Sequence, residues 1–467
     1  MRHTTSILGS LLVAAACLTV QTPVNAEGTD MPATEENDAI NSAYMPQTQR
    51  NDTLSPEELK IKKSIDATKI VFIGDGDKPA RDSVTSLISR FYYDQFRHFQ
   101  DPQAPYFMLM SKTGKLAFGA GGLVMVRGWY DWNGVMPGAD FAPADIQLPK
   151  DPSNKNKLDA TAASSKLFFT LLGENRFLGN FMAYLECSFN GGGNSHYVKL
   201  KKAYVKFRDW TVGYAPSTFN DPSAEAPVID SQGQNGEISH TTTLVRYMRT
   251  FHDRFTVAGS VEIPDFEAQE IEGQTQKNSK FFPDLAAFLQ YHWGRGNSHV
   301  RLSFIYKRMA YRDLLKQKNH SVGGYGIQAS AAIRLNRQIK LYCIVNTGKG
   351  VGSYSNDLSI ATQDLVSDPD CPGTLYAPRS WSYAIGAQYN FTNDIYASAT
   401  FNQTRYLPRK TVEGTDYKYG LYSAFSLFWD MTSRLQVGAE YLYGKRVNFN
   451  HQHGCADRIN VLFQFSF

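Results

Sequence analysis

The last ten residues constrain the fold more strongly than any other stretch of the chain. Residues 458–467 read Arg-Ile-Asn-Val-Leu-Phe-Gln-Phe-Ser-Phe. Neighbouring side chains in a strand point to opposite faces, so this stretch has one wholly apolar face and one polar face. The apolar face holds Ile459, Val461, Phe463, Phe465 and Phe467, and the polar face holds Arg458, Asn460, Gln464 and Ser466. In a sandwich the charged face would meet solvent, and a terminal Phe would have no special use. An apolar outside and a polar inside are what a lipid-embedded, water-filled β-barrel needs.

The first 26 residues have the three parts of a secretory signal peptide. They are Arg2, an apolar run over residues 7–20, and the cleavage-site pattern Val-Asn-Ala at 24–26. A lipoprotein signal ending at Cys17 is the alternative, but the apolar run continues past that residue. We therefore expect an exported chain that begins at Glu27 after cleavage.

The rest of the chain contains no second stretch of about 18 apolar residues that could form a membrane-spanning helix. Aromatic residues make up 13% of the sequence, and 36 residues are Gly, which fits strands that are half lipid-facing and joined by polar loops. The net charge of +4 is close to balance, so nucleic acid is not indicated as a partner.

Residues 27–113 form a small N-terminal periplasmic region in this interpretation, partly disordered and partly helical. The part up to Asp52 is polar, and Ser55-Pro56-Glu57-Glu58 has the composition of a helix start. Residues 79–99 space their apolar side chains roughly as one helical face. This region could pack on a neighbouring chain, lie beneath the barrel mouth or form a small plug.

From Gly114 the pattern changes to period two, and short and long connections alternate. The short ones are predicted at 173–180, 208–209, 251–254, 294–297, 336–338, 390–394 and 430–433. The long ones are predicted at 132–157, 190–196, 216–240, 264–282, 310–322, 348–380, 406–416 and 445–456. Short periplasmic turns and long outer loops are typical of a single-chain outer-membrane barrel. Residues 114–467 are therefore predicted to form an all-β, antiparallel transmembrane barrel of about 16 strands, an even number.

Charged residues on these strands indicate which face is the lumen. In the stretch 300–307, Arg301 and Lys307 alternate with Val, Leu, Phe and Tyr. An Arg or Lys facing lipid at the bilayer midplane costs about 2–4 kcal/mol, so these side chains are expected to point inward. Trp210, Trp293 and Trp429 lie beside predicted periplasmic turns, where an aromatic girdle would be placed.

The cysteines add little to the prediction. Cys187 and Cys343 fall at outward strand positions, and Cys371 and Cys455 fall in predicted outer loops, where the sequence leaves a disulfide between them open. No group of Cys or His has metal-ligand spacing, and no cofactor is implied.

Several segments resemble, in order along the chain, the DcaP-like family of trimeric bacterial outer-membrane porins. The matching segments are 165–169, 183–189, 199–204, 213–220, 283–287, 348–352 and 438–444, followed by the closing strand. The resemblance covers about Leu116 to Phe467. This chain departs from the family at Lys166, Lys199 and Lys201, where Arg is frequent, and its N-terminal region has no evident coiled coil.

The resemblance implies a third loop, about 216–240, folded into the lumen opposite a basic wall. The acidic residues of this loop are Asp221, Glu225, Asp230 and Glu237. The candidate pore-lining basic residues are Lys166, Lys199, Lys201, Arg246, Arg301, Lys307 and Arg334. Opposed charges in a constriction bias which ions pass. The family resemblance implies a homotrimer in the outer membrane of a Gram-negative bacterium, in contact with outer-membrane lipid. The implied function is passive, anion-preferring diffusion of small anionic solutes such as dicarboxylates.

Other interpretations remain open at this point. Lysine walls suit phosphate as well as carboxylate, so a phosphate-selective or general porin is the nearest alternative. Lumen charges also commonly pair, and Glu186, Glu262 and Glu440 could neutralise several of the bases. A nonconducting receptor or adhesin would use the loops at 348–380 and 132–157. An enzyme is not predicted, because His240 and His252 lie in no recognisable nucleophile constellation.

Overall fold

A computed structural model describes most of the region predicted to be a barrel and parts of the N-terminal region. The described residues are 55, 56, 58, 59, 63, 68–74, 105, 107–113, 115–153, 155–191, 197–294, 296–409 and 413–467. The predicted signal peptide, the polar stretch up to Asp52 and the apolar face at 79–99 lie outside them.

Strands account for almost all of the regular structure. They are β1 (Lys69–Ile73), β2 (Phe107–Ser111), β3 (Leu116–Trp132), β4 (Lys157–Thr161), β5 (Lys166–Asn175), β6 (Gly179–Gly191), β7 (Tyr197–Phe207), β8 (Trp210–Pro216), β9 (Thr241–Phe251), β10 (Phe255–Glu262), β11 (Thr275–Lys277), β12 (Asp284–Trp293), β13 (Ser298–Asp313), β14 (Lys318–Arg334), β15 (Ile339–Lys349), β16 (Val366–Ser367), β17 (Leu375–Tyr376), β18 (Arg379–Asn390), β19 (Ile395–Leu407), β20 (Tyr417–Asp430), β21 (Leu435–Asn448) and β22 (His453–Ser466). A short helix, α1 (Asn356–Ala361), and 3-10 turns at Pro143–Asp145, Pro222–Ala224 and Gly352–Tyr354 lie in the outer loops.

Among the described residues, sixteen strands form a closed antiparallel barrel, as the sequence predicted. The six strands outside this ring are β1, β2, β4, β11, β16 and β17. The last strand closes on the first, because β22 pairs with β3 from Asp457 opposite Trp132 to Ser466 opposite Leu123. Closure removes the free sheet edges, which a membrane cannot accommodate.

The two faces of the wall have the predicted polarity. On β22, Val461 and Phe463 on the outer face are 54% and 48% exposed, whereas Arg458 on the inner face is fully buried. Trp210, Trp293 and Trp429 each lie next to one of the short turns, as predicted, and Trp381 lies near the opposite end of the barrel, where the long loops are. The apolar outer face therefore meets lipid, and the polar face surrounds the lumen.

The seven predicted short turns are confirmed, but two of the predicted long loops are short. The loop predicted at 310–322 spans only residues 314–317, and the one predicted at 445–456 spans only 449–452. In both places the alternation continues through polar residues, which can pair as strand in water beyond the membrane. The sequence analysis had assigned these residues to loops because they are polar.

Three outer loops fold inward, where the sequence predicted this of one. Loop 1 (133–156) buries Met136 and Phe141 against the inner wall at β20 to β22. Loop 3 (217–240) enters the lumen as predicted, and loop 6 (350–378) places α1 beside it through a backbone bridge between Ile238 and Ser355.

The described parts of the N-terminal region lie against the barrel. Ser55 and Glu58 form a reciprocal cap, with the Ser55 amide 2.7 Å from the Glu58 carboxylate and the Glu58 amide 3.2 Å from the Ser55 hydroxyl. This confirms the predicted helix start. The Lys63 ammonium lies 2.8 Å from Asp394 in a periplasmic turn. Residues 70–73 are part of β1.

The strand pair β1 and β2 extends the barrel sheet at its periplasmic end. β1 runs parallel to β2, and β2 pairs with the start of β3. Their inward side chains continue an apolar strip on the inner wall. The strip consists of Ile70, Phe72, Met108, Met110, Ala117, Leu172, Met182 and Tyr204. The periplasmic end of this wall is therefore packed rather than wet.

The four cysteines among the described residues are free, so no disulfide links Cys371 and Cys455. Cys455 lies on β22, not in a loop, and its sulfur is 3.2 Å from the Tyr443 hydroxyl. Within the part of the chain that the structure describes, none of the helices has the length and apolar character of a membrane-spanning helix.

Candidate functional site: a constriction between loop 3 and a lysine-bearing wall

Loop 3 follows the inner wall from β10 around to β21. Its backbone accepts hydrogen bonds from Gln328 on β14, from Asn346 on β15 and from Ser382 on β18. Its amides at Thr218 and Ile229 donate to the carboxylates of β10 and β21. No hydrogen bond among the described residues joins this loop to β6 or β7. The hydrogen bonds of loop 3 therefore hold it against the wall from β10 to β21.

Two wall carboxylates hold the loop backbone. Glu262 accepts from the Thr218 amide at 2.9 Å, and Glu440 accepts from the Ile229 amide at 2.6 Å and the Asp230 amide at 3.0 Å. The sequence had suggested that these acids neutralise lumen bases. Both anchor the loop, because its orphan amides need acceptors once they are buried. Glu262 also interacts electrostatically with Arg246, as the sequence suggested.

Inward-facing glycines make room for the loop. A Cβ at Gly386 on β18 would lie 2.6 Å from the Ala226 side chain, and one at Gly438 on β21 would lie 2.9 Å from Ile229. A larger residue at either position would collide with the loop. The wall is thus shaped to carry loop 3.

The first acid of loop 3 is neutralised by the wall. Asp221 lies 2.9 Å from His299 and 3.4 Å from Arg301, both on β13, and accepts from the Ser330 hydroxyl. Burial alone would raise its pKa, but the charges of Arg301 and His299 hold the pKa of Asp221 well below its usual range. This acid is a loop anchor whose charge is already compensated.

The acid at the far end of the loop meets a base that the sequence analysis did not select. Asp230 accepts from the Phe141 amide at 3.1 Å and lies 3.7 Å from the Arg127 guanidinium on β3. Burial, with the nearby charges of Asp140 and Glu440, raises the pKa of Asp230 despite Arg127. Asp230 joins loops 1 and 3 to the wall.

The remaining two acids interact with each other. Glu225 and Glu237 share a hydrogen bond within loop 3. Burial raises the pKa of Glu237 to about 7, and burial together with the charge of Glu237 raises that of Glu225 further. Near neutral pH the pair therefore carries at most one negative charge.

Asp357 on α1 connects the three in-folded loops. Its carboxylate accepts from the Tyr417 hydroxyl at 2.7 Å, from Asn235 of loop 3 at 3.2 Å and from the Ala144 amide of loop 1 at 3.4 Å. Burial raises its pKa to about 6, although these hydrogen bonds act in the opposite direction. The sequence analysis had left loops 1 and 6 outside the barrel.

The wall opposite loop 3 carries a cluster of lysines around one buried carboxylate. Lys166 on β5 lies 3.3 Å from Glu186 on β6, and the Tyr184 hydroxyl donates to the same carboxylate at 2.7 Å. Lys202 on β7 is opposite Glu186 in the strand register. Lys201 interacts electrostatically with Glu186, with the neighbouring Lys199 and with Asp140 of loop 1. The four lysines therefore form one cluster with two carboxylates near it.

A β-bulge explains why consecutive lysines reach the lumen. On β6 and β7, Glu186 pairs with Lys202, but the next residue, Cys187, pairs with Leu200. Lys201 is therefore the extra, unpaired residue of the bulge. A bulge re-aims side chains that would otherwise alternate. Strict alternation places Lys199 and Lys201 in the lumen, as the sequence analysis did, and omits Lys202.

Four of the predicted basic residues lie elsewhere on the lumen side. Arg246 donates to Thr218 and to the Pro216 carbonyl at the base of loop 3, and Arg301 donates to the Asn220 carbonyl at 2.8 Å. The other two are Lys307 and Arg334.

Lys307 and Arg334 also contact protein rather than the open lumen. The Lys307 ammonium is fully buried and donates to the Asp265 carbonyl at 2.7 Å and to Ser353 at 3.0 Å. Arg334 lies at the periplasmic rim, 3.4 Å from the Arg337 carbonyl. The loops that bury Lys307 come from distant parts of the chain, so strand alternation could not reveal this role.

Arg127, His299 and Lys202 are the residues that the sequence analysis missed. Arg127 and His299 occupy inward positions of regularly alternating strands, so the alternation of the sequence would have identified them as lumen-facing residues. Lys202 carried no such signal because of the bulge. No group of three or more side chains within the described residues could hold a metal ion.

Comparison with known proteins establishes the family. A family model described as DcaP outer membrane protein matches residues 111–467. The chain belongs to the DcaP outer membrane protein family. This places the DcaP-family barrel described here in the outer membrane of a Gram-negative bacterium.

One solved structure shares the fold of this DcaP-family chain, and others are more distantly similar. The outer membrane channel DcaP of Acinetobacter baumannii superposes with a TM-score of 0.66 at 16% identity, over 76% of this chain and 98% of that one. An anion-selective porin from Comamonas acidovorans gives 0.49 at 10% identity, over 76% and 100% of the two chains. OmpT of Vibrio cholerae gives 0.49 at 11%, over 76% and 98%. The first likeness shows the fold alone, and the last two are too distant to support any conclusion. A comparison with curated proteins finds no significant match.

Proposed function

We propose that this porin gives passive, anion-preferring diffusion to small solutes through the gap between loop 3 and the lysine-bearing wall. The observation that supports this is the unequal compensation of charge on the two sides. On loop 3, Asp221 is paired with Arg301 and His299, and Glu225 and Glu237 share a proton near neutral pH. On the wall, the cluster of Lys166, Lys199, Lys201 and Lys202 has two carboxylates near it, Glu186 and Asp140. The net field in the gap is positive and favours anions.

Dicarboxylates fit the spacing of the lysines. Lys166 on β5 and Lys199 on β7 are separated by one intervening strand, and two interstrand spacings amount to about 9.6 Å. The carboxylate oxygens of a four-carbon dicarboxylate are about 5 Å apart, and each can accept from an ammonium group at about 2.8 Å. One molecule can therefore engage both strands while it passes.

We infer a channel rather than an enzyme. His240 stacks on Tyr354 with ring centroids 4.2 Å apart, and His252 lies in a periplasmic turn. A receptor or adhesin would need long free outer loops, whereas loops 1 and 6 bury Phe141 and Tyr354 inside the barrel. These packed loops narrow the lumen and support the transport proposal.

We further propose a homotrimer, as the family resemblance implies. The outer face at β3 and β5 to β8 has an apolar groove of about 350 Å³ at the small side chains of Ala183 and Ala203. Its rim is formed by larger apolar residues such as Phe118, Phe169 and Val205. Such a groove accepts side chains of a neighbouring subunit, and this part of the ring is the interface in the proposed assembly.

Single-channel recording with reversal potentials in a salt gradient tests the proposed selectivity. We expect anion preference in the unmodified channel and its loss in the triple variant Lys166→Gln, Lys199→Gln, Lys201→Gln. Blocking the current with succinate or with phosphate at equal charge separates a dicarboxylate channel from a phosphate-selective one.

The matched control is Lys445→Gln. Lys445 lies on the lipid-facing side of β21 at the same outer level, so its loss should leave the reversal potential unchanged. A cation-preferring unmodified channel would refute the proposal. If correctly folded protein showed no conductance, the result would favour the alternative of a nonconducting receptor or adhesin.

A further inference from the structure

A cluster of cations without acidic partners lies on the outside of the barrel at the outer edge of the wall. Lys349, the last residue of β15, is directly opposite Arg379, the first residue of β18. Arg405 lies on the same face of β19, and Arg409 follows that strand. The two charged groups that act on Lys349 are both cations, Arg379 and Arg409.

The cluster faces the membrane rather than the lumen. Arg379 has the parity of Trp381 and Ile385, which lie on the outer face, whereas the buried Ser380 and Ser382 face inward. Arg405 has the parity of the exposed Phe401. These cations therefore cannot contribute to the lysine wall inside the pore.

The position along the membrane normal corresponds to the headgroup level. Trp381 and Tyr383 stack with centroids 6.0 Å apart, and Tyr325 is directly opposite Lys349, which gives a local aromatic belt. Arg379 lies two residues beyond Trp381, about 7 Å further from the bilayer centre. Aromatic belts mark the interface, and cations just beyond them reach lipid headgroups.

Other cations at the outer rim already have partners. Arg312 donates to Asn319 at 3.0 Å and to Gln317 at 2.8 Å, and Lys277 lies 3.1 Å from Glu267. In the described part of the chain, no carboxylate lies at ion-pair distance from Lys349, Arg379, Arg405 or Arg409. Like charges held side by side repel, so the arrangement is favourable only with an anion between them.

We propose that Lys349, Arg379, Arg405 and Arg409 bind the phosphate groups of the phosphorylated glycolipid in the outer leaflet of the membrane. Guanidinium groups bind phosphate oxygens in pairs, and the lysine adds a further positive charge. The aromatic belt below contacts the acyl region of the same lipid. This surface lies on β15 to β19, away from the groove on β3 to β8, so lipid binding and subunit association use different parts of the ring.

Native mass spectrometry of the detergent-solubilised protein tests the proposal with two probes, bisphosphorylated lipid A and its fully dephosphorylated form. The experiment includes a chelator, which removes bridging divalent cations. We expect the unmodified protein to retain the bisphosphorylated lipid. Each cation near a charged lipid surface contributes about a fivefold factor, so the double variant Arg379→Gln, Arg409→Gln should weaken retention about 30-fold. Binding of the dephosphorylated lipid should be the same for both proteins.

Arg312→Gln is the matched control, because this outward guanidinium at the same rim is satisfied by neighbouring side chains. It should retain the lipid as the unmodified protein does. The single variant Lys349→Gln, expected to show about a fivefold loss, covers the case in which the double variant does not fold. Equal retention of both lipids by the unmodified protein, or equal retention by the unmodified protein and the folded variants, would overturn the proposal.

Discussion

Arg458 and Asp131 meet where the last strand closes on the first. Both side chains are fully buried, and the guanidinium contacts both carboxylate oxygens, at 2.5 Å and 2.9 Å. It also donates to the Gly138 and Ala139 carbonyls, so one side chain fixes the seam of the barrel and the start of loop 1.

Removal of this guanidinium should leave Asp131 buried without a partner. We expect Arg458→Met to lower the free energy of unfolding by about 3–5 kcal/mol. The double variant Arg458→Met, Asp131→Leu should recover much of that loss, because no charge is left buried. Urea unfolding of the barrel in lipid vesicles measures both. An unchanged midpoint for Arg458→Met would contradict the role assigned to the pair.

The buried carboxyl of Asp357 should make the packing of the in-folded loops depend on pH. Its pKa of about 6 exceeds the ordinary value of 3.8, so packing has its full stability below about pH 4 and loses it as pH rises through about 6. Glu237, with a pKa of about 7, changes in the same direction. Two pH units correspond to about a hundredfold increase in loop opening. This opening can be measured by amide hydrogen exchange at residues 233–240 and 353–361, after correction for the pH dependence of the intrinsic exchange rate.

The amide of Asp357→Asn cannot ionise, so this variant should lose the part of the pH dependence between about pH 4 and 6 and keep the part that Glu237 contributes. A pH profile identical to that of the unmodified protein would show that Asp357 is not the titrating group.

For single residues, the sequence predicts which face of a strand a side chain lies on better than it predicts which residues that side chain contacts. The inward orientation of Arg301 and Lys307 followed from alternation and the cost of a charge in lipid. Their roles did not follow, because Asn220 and Ser353, which they contact, arrive from loops whose path only the folded structure defines. Lys202 was missed because a bulge interrupts the alternation on which the prediction relied.

At the scale of elements, loop 3 and the strands that carry it are matched in shape. The inward glycines of β18 and β21 receive Ala226 and Ile229, so the loop lies against the wall instead of crossing the lumen. The sequence predicted an in-folded loop only by family resemblance. Nothing in the pattern of small residues on single strands shows which loop they face.

A side chain placed at Gly438 should push loop 3 toward the lysines. We expect Gly438→Leu to reduce single-channel conductance and to cost about 1–3 kcal/mol of stability through overpacking. Gly259→Leu is the control, because a Cβ there on β10 meets nothing within 4 Å. An unchanged conductance for Gly438→Leu would mean that the loop does not border the conducting path.

The strand elements themselves were predictable because each barrel strand has one lipid-facing side. Their outer limits were not. Beyond the membrane, β13 and β14 continue to Asp313 and Lys318 with polar residues on both faces, and the apolar signal that defines a strand in lipid is absent there.

At the scale of the whole molecule, the proposed trimer uses the groove on β3 to β8. Ala183→Arg should fill the groove with a charge and give folded monomers, which light scattering of the detergent-solubilised protein would detect. Ala329→Arg is the matched control, since this alanine faces lipid on β14, across the ring. Both variants place one Arg on the apolar surface. Monomers from both, or trimers from both, would exclude this groove as the interface.

In the proposed channel, which runs between loop 3 and the lysine-bearing wall, the water-filled route is off-centre and next to β6 and β7. In the proposed trimer those strands are near the threefold axis, so three routes would converge around one column of positive potential. Fields add over roughly 10 Å at 0.1 M salt, and they add over longer distances in dilute media. Anion capture by one subunit would then be strengthened by its two neighbours at low salinity, and the three openings would act independently in brine.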